Sequence, residues 1–246
     1  MNFTGKCALI TGAAVGIGRA VALKLAECGA KLILVDVDIE KLECVKKEIQ
    51  NYTNDVLVFE CDITDEEKVS YVTEEALKQF GKIDILINNA AVWRMCKPFT
   101  EITTDEWMKF LNINIMSVVH FTKSVLPQMN ENRYGRIVNV ASVAGVYGNA
   151  NMTTYSATKG AVISFSKALA KEVAKHNITV NAVSPGTVSP ADNPDVYYTQ
   201  PDERSCYIGR TGSDMENANL ICFLASDEAS YITGQNYQID GCRKTQ

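Results

Sequence analysis

Short apolar runs alternate with longer amphipathic stretches from one end of the chain to the other. Lys6 to Ile10, Leu32 to Val35, Val56 to Phe59, Ile83 to Ile87, Ile137 to Val140, Thr179 to Val183 and Asn236 to Ile239 are the runs. Each is too short and too continuous for an amphipathic helix, and reads as a strand buried on both faces. Between them, helices are predicted over Arg19 to Cys28, Lys41 to Gln50 and Glu66 to Phe80, from about Asp105, after Tyr155, and over Glu216 to Leu224. Strand–helix alternation at this spacing builds right-handed βαβ units and a parallel sheet with helices on both faces. Ligands then bind at the C-terminal strand ends. No repeat, low-complexity run or linker interrupts residues 1–246, so one domain is expected.

The first strand runs into Thr11-Gly12-Ala13-Ala14-Val15-Gly16-Ile17-Gly18 and then a helix. Glycines at such a turn let backbone approach a pyrophosphate, which lies on the positive helix N-terminus. The second strand ends at Asp36, eighteen residues past Gly18. A carboxylate there accepts both hydroxyls of an adenosine ribose and repels a 2′-phosphate. No lysine or arginine lies at Ala13 to Val15 or just after Asp36, so the expected cofactor is NAD rather than NADP.

The chemistry gathers between Ala141 and Lys159. Tyr155 and Lys159 are four apart, one turn along a helix face. A phenol titrates near pH ~10, and an ammonium beside it should lower that pKa toward neutrality. Ser142 follows a strand and faces the same space, where its hydroxyl could bind a carbonyl oxygen while Tyr155 moves the proton. That is an acid/base site for an alcohol–ketone pair. Asn114 lies among Leu111, Ile113, Ile115 and Met116, so its amide marks either a local kink or a polar relay.

Composition narrows the function. At 46% hydrophobic residues the chain can bury a large core, and a net charge of −5 leaves no basic footprint for nucleic acid. The start, Met1-Asn2-Phe3-Thr4-Gly5, has no signal-peptide pattern, and no apolar run reaches a membrane span. The eight cysteines show no Cys-x-x-Cys pair and are expected to be free buried thiols. The two histidines, His120 and His176, do not suit a triad or a metal site. A cytoplasmic, metal-free enzyme with a small-molecule substrate is expected. Apolar surface on the helices near Asn114 and Phe165 predicts a homotetramer.

Taken together, Thr11-Gly12-x-x-x-Gly16-x-Gly18, Asp62, Asn88-Asn89-Ala90, Asn114, Ser142, Tyr155-x-x-x-Lys159 and Pro185-Gly186 resemble the classical short-chain dehydrogenase/reductase family. The resemblance covers nearly the whole chain. It implies a doubly wound Rossmann fold with a seven-stranded parallel sheet. It further implies that Tyr155 is the acid/base and also contacts the cofactor, Ser142 orients the carbonyl, Lys159 also binds the nicotinamide ribose, and Asn114 holds a water. By the same likeness Gly12, Gly16, Ile17 and Gly18 hold the pyrophosphate, and Asp62 and Ile63 meet adenine. Asn89, Ala90 and Ala91 line the cofactor, as do Pro185 and Gly186, and Val188 meets the carboxamide. Ala91, Pro190 and Cys242 depart from the family's usual glycine, threonine and glycine.

The primary expectation is an NAD-dependent oxidoreductase of a secondary alcohol or its ketone. Residues from about 187 to 209, with Pro190, Pro194 and Pro201, read as a substrate lid. Trp93, Met95, Tyr147, Tyr197, Tyr198 and Tyr207 suggest an aromatic wall with Arg94 as the nearby cation. Of these, Trp93, Tyr147 and Tyr198 are the substrate candidates, and such a wall suits a hydroxysteroid or another hydrophobic cyclic alcohol. The enzyme alternative is a 3-oxoacyl-acyl-carrier-protein reductase. Against it stand Asp36, the NADP use that resemblance implies, and a weak basic rim of Arg133 and His176 beside Asp192, Asp195, Asp202 and Glu203. A non-catalytic NAD-binding sensor is the alternative of another class, but sensors of this type lose the tyrosine or lysine.

Overall fold

A computed structural model describes residues 1–190 and 192–244. The strands are β1 (Cys7–Thr11), β2 (Lys31–Asp36), β3 (Val56–Glu60), β4 (Ile85–Asn88), β5 (Gly135–Val140), β6 (Ile178–Pro185) and β7 (Asn236–Ile239). They form one sheet in the order β3-β2-β1-β4-β5-β6-β7, and every pairing is parallel. The strand order reverses between β1 and β4. That is the switch point where a doubly wound sheet opens a crevice at its C-terminal edge.

The period-two alternation of strands sorts side chains into two layers. Ala8, Ile10, Leu32, Leu34, Val138 and Val140 face a core roofed by α1 (Gly16–Glu27), α2 (Ile39–Ile49) and α8 (Asp214–Ala225). Cys7, Leu9, Ile33, Val35 and Ile137 face the other core, under α3 (Glu66–Phe80), α5 (Ser117–Asn132) and α7 (Thr153–Val173). The remaining helices are α4 (Thr104–Leu111) and the short α6 (Val143–Tyr147).

Most predicted elements are present, with shifted ends. The first helix begins at Gly16, three residues before the predicted Arg19, because packing overrides the poor helix propensity of glycine. The fourth strand begins at Ile85 rather than Ile83. The predicted Thr103–Glu106 capping box is formed, each side chain accepting from the other residue's backbone N–H. Past Leu111 the helix loosens into a π turn over Asn112–Met116 before α5 resumes. No cysteine is paired, yet only Cys7, Cys61, Cys206 and Cys222 are buried. Cys44, Cys96 and Cys242 are exposed, against the expectation, because they lie on helix and loop surfaces rather than in strands. No described helix is long and apolar enough to cross a membrane.

Candidate active site

The glycine-rich turn joins β1 to α1 with no side chain capping its first N–H groups. Val15 holds the N-cap position in extended conformation and offers no oxygen, and the first turn has no acidic residue. Those free donors, at the positive helix end, suit the anionic pyrophosphate of a dinucleotide. Gly12 adopts φ 64°, and a Cβ there would come within 2.8 Å of Ala90 Cα. A Cβ on Gly18 would lie 2.0 Å from Gly12 O, so any side chain would push the turn off the strand ends. Gly16 also takes a left-handed φ, 58°.

The turn is pinned to its neighbours. Thr11 Oγ1 accepts from the backbone N–H groups of Asn89 and Ala90 at 3.0 and 3.1 Å. Asn89 Nδ2 donates back to Thr11 O and Gly12 O. Asp36, half-buried at the end of β2, accepts from Ala14 N through Oδ2 at 3.0 Å and from Val37 N through Oδ1 at 2.8 Å. Lys41, a nearby cation, is held by Asp38 at 2.9 Å. Asp62 is exposed; Thr64 donates to it through N–H and hydroxyl, which holds its carboxyl below the ordinary range. Ile63 beside it is buried. On the other half of the crevice, Gly186 N donates to Ile239 O at 3.0 Å just past Pro185, and Val188 bridges to Gly212.

Ser142 caps α6, with Oγ accepting from Ala144 N at 3.1 Å. Tyr155 and Lys159 lie in the first two turns of α7. That helix packs tightly on α6, since a Cβ on Gly145 would meet Gly160 N at 2.5 Å. Asn114 sits in the π turn, 1% exposed. Its Oδ1 accepts from Val92 N at 2.9 Å, and its Nδ2 donates to Val92 O at 3.0 Å and to Thr158 Oγ1 at 3.1 Å. The amide therefore marks a kink and also a polar link between the loop after β4 and the helix that carries Tyr155 and Lys159. Single π turns inside helices are frequent at functional sites.

The electrostatics depart from the sequence expectation. Burial raises the Tyr155 pKa above the ordinary phenol range, with the Ser142 hydroxyl pulling it partly back. Lys159 does not lower it here. Its Nζ stands 5.9 Å from the Tyr155 ring centroid and donates to Val140 O at 2.7 Å. Burial also brings Lys159 down to about 8, since a desolvated ammonium is the disfavoured form.

The aromatic candidates do not close a wall. Trp93 is 54% exposed, Tyr197 69% and Tyr207 73%. Tyr147 is also open, with its hydroxyl donating to Gln238 Oε1 at 2.5 Å. Tyr198 is half-buried, and its backbone oxygen accepts from Ser189 Oγ. These rings keep solvent on one side, so they enclose no apolar chamber. Within the 187–209 segment, Ala191 lies outside the described residues. Arg133 and His176 precede β5 and β6, at the sheet edge opposite Ser142.

Sequence reasoning missed the C-terminal clamp on this site. Gly241 and Cys242 are both left-handed, at φ 63° and 59°. Asp240 Oδ1 accepts from the N–H groups of Cys242 and Arg243. The turn aims Arg243 Nη2 at Asn149 Oδ1, 3.0 Å away, in the loop between Ser142 and Tyr155. Cys242 thus takes a conformation that favours glycine, at a cost of order 1 kcal/mol. The one sequence signal was Cys242 standing at a glycine's place. Arg243→Ala should lower kcat about fivefold with little change in Tm, because it frees the loop that spaces the two hydroxyls. Steady-state kinetics beside a thermal melt check this; an unchanged kcat would count against the clamp.

The family model for short chain dehydrogenase matches residues 6–199. A 3-oxoacyl-acyl-carrier-protein reductase of Thermotoga maritima is 40% identical over 246 residues, 98% of each chain. The Escherichia coli protein of the same name is 37% identical over 247 residues, again 98% of each. Among solved structures, an NAD+-bound xylitol dehydrogenase is 35% identical with a TM-score of 0.90, covering 98% of this chain and all of that one. A 3-ketoacyl-acyl-carrier-protein reductase of Brucella melitensis complexed with NADH is 33% identical at TM-score 0.88, covering 98% of both. These relatives overturn the hydroxysteroid expectation in favour of its 3-oxoacyl alternative, and the open rings give the physical reason. The motif match, the fold and the full-length relatives together place the chain in the short chain dehydrogenase family, oxidoreductases of a carbonyl–hydroxyl pair.

Proposed function

We propose that this chain is an NADH-using reductase of 3-oxoacyl thioesters, of the acyl-carrier-protein type. The observation that carries the substrate class is likeness to 3-oxoacyl-acyl-carrier-protein reductases over 98% of both chains. Asp36, which forms no ion pair among the described residues, supports NAD(H), as does the NADH in the Brucella melitensis relative.

NADH, when bound, would supply the hydride for the C3 ketone, being oxidised to NAD+. The N–H groups of Gly16, Ile17 and Gly18 would hold its pyrophosphate, Asp36 its adenosine ribose, and Asp62 and Ile63 its adenine. Asn89, Ala90, Ala91, Pro185, Gly186 and Val188 would line the nicotinamide half. Lys159 would exchange Val140 O for the nicotinamide ribose. The Ser142 hydroxyl donates a hydrogen bond to the ketone oxygen, and Tyr155 gives that oxygen its proton. The product is the 3-hydroxyacyl thioester, and Tyr155 is reprotonated from solvent. Asn114 fixes Val92 and Thr158, and so the spacing of these groups. We further propose a cytoplasmic homotetramer built on the exposed small residues of α7, Ala157, Ala161 and Ala168, with residues 187–209 closing over the substrate; the unpartnered helix face supports the assembly.

A substrate panel tests the reading. With NADH, acetoacetyl thioesters should be reduced at a kcat/KM at least about tenfold above that of any cyclic ketone tried, since only the thioester fills the site and its approach. Turnover of xylitol with NAD and none of acetoacetyl thioesters would overturn it.

A further inference from the structure

We infer that Trp93 and Arg94 form a subsite for the phosphate-bearing pantetheine arm of the thioester, an inference that rests on the 3-oxoacyl thioester reading above. A 3-oxoacyl group with its ketone at Tyr155 must send its thioester arm out of the crevice. The loop after β4 borders that exit. Asn114 holds the loop at Val92, and Lys97 N donates to Asn151 O at 2.9 Å, tying its far end to the turn just ahead of Tyr155. Between these anchors, Met95 N donates to Trp93 O at 2.8 Å. That bond closes a tight turn and leaves Arg94 at its apex.

The cations of the loop after β4, of the C-terminal turn and of α7 are not equivalent. Lys97 is paired with Glu106 at 2.6 Å. Arg243 is engaged with Asn149, and Lys244 donates to Glu203 O. Lys159 is buried on Val140 O. Arg94 has no acidic partner among the described residues, and its guanidinium carbon sits 5.5 Å from the Trp93 ring centroid. A cation–π contact of this kind favours the guanidinium over the indole without using up its donors. An exposed, pre-positioned and unneutralised fork is the form that binds a phosphate bidentately. On a chain of net charge −5, a local cation is needed to bring an anionic arm to this edge. The indole, half out in water, offers a flat apolar face to the amide-rich arm between phosphate and sulfur.

The test compares acetoacetyl-phosphopantetheine with acetoacetyl-pantetheine, which lacks the phosphate, and with acetoacetyl-carrier protein, all with NADH. R94A should raise KM for the phosphopantetheine and carrier substrates about five- to tenfold while leaving kcat alone. The same variant should leave the phosphate-free thioester within about twofold of wild type, and R94K should recover part of the loss, since lysine binds phosphate as a point charge. Equal losses on all three substrates, or none, would overturn the subsite while leaving the thioester reading intact. A loss confined to the carrier-bound substrate would also overturn it, in favour of contact with the carrier's surface. Wild-type enzyme that reduced none of the three would overturn both readings.

Discussion

Replacing Tyr155 by phenylalanine should lower kcat at least about a hundredfold while leaving NADH affinity nearly unchanged, because only the proton donor is removed. The ring stays, so the packing of α7 on α6 is kept. The residues proposed to hold the dinucleotide lie mainly on the turn after β1 and the ends of β2, β4 and β6, and the variant leaves all of them, and Lys159, in place. Burial raises the Tyr155 pKa, so the hydroxyl is protonated throughout the neutral range. That is the form which a ketone reduction consumes. The Ser142 hydroxyl remains in the variant, accepting from Ala144 N and still free to donate to the ketone, but a serine hydroxyl is a far weaker acid than a phenol and does not replace the proton donor. Stopped-flow turnover and fluorescence titration with NADH separate the two quantities. Activity within about tenfold of wild type would remove Tyr155 from the proton-transfer role.

What could be seen in the sequence was what depends on spacing along one element. The strands showed as continuous apolar runs because a parallel sheet buries both of their faces. Tyr155 and Lys159 could be paired because a helix brings residues four apart onto one face. Asn114 stood out because an amide among Leu111, Ile113 and Ile115 needs partners, and it finds them in Val92 and Thr158.

What could not be seen depends on segments meeting across the chain. The Arg243–Asn149 bond joins residues 94 apart, and Tyr147–Gln238 joins residues 91 apart. No local pattern announces either. The expected Lys159 effect on Tyr155 failed for a related reason. A shared helix face does not decide where a flexible ammonium points, and Val140 O, on a separate strand, captures it. The aromatic wall failed because residue type does not fix exposure. Rings on loops beyond the sheet edge can face solvent as readily as each other.

NADH should be preferred over NADPH by at least about tenfold in kcat/KM, with Asp36 as the cause. The carboxylate sits at the end of β2, fixed by three backbone N–H groups, those of Ala14, Val37 and Asp38. It cannot swing away from an incoming 2′-phosphate without abandoning them. Two like charges ~4 Å apart repel by about 4 kcal/mol at an effective dielectric near 20, and partial exposure of this site reduces that figure. Even a third of it gives the tenfold preference. The nearby Lys41 is an incomplete counterweight, since its ammonium is held by Asp38 at 2.9 Å. Asp36→Asn removes the charge and keeps the shape, so the preference should narrow by at least about tenfold through a gain with NADPH and a loss with NADH. Its new amide also meets a backbone N–H, so a thermal melt should accompany the kinetics to separate a loosened turn from a changed preference. Equal or better use of NADPH by the wild-type protein would show that this carboxylate does not select the cofactor.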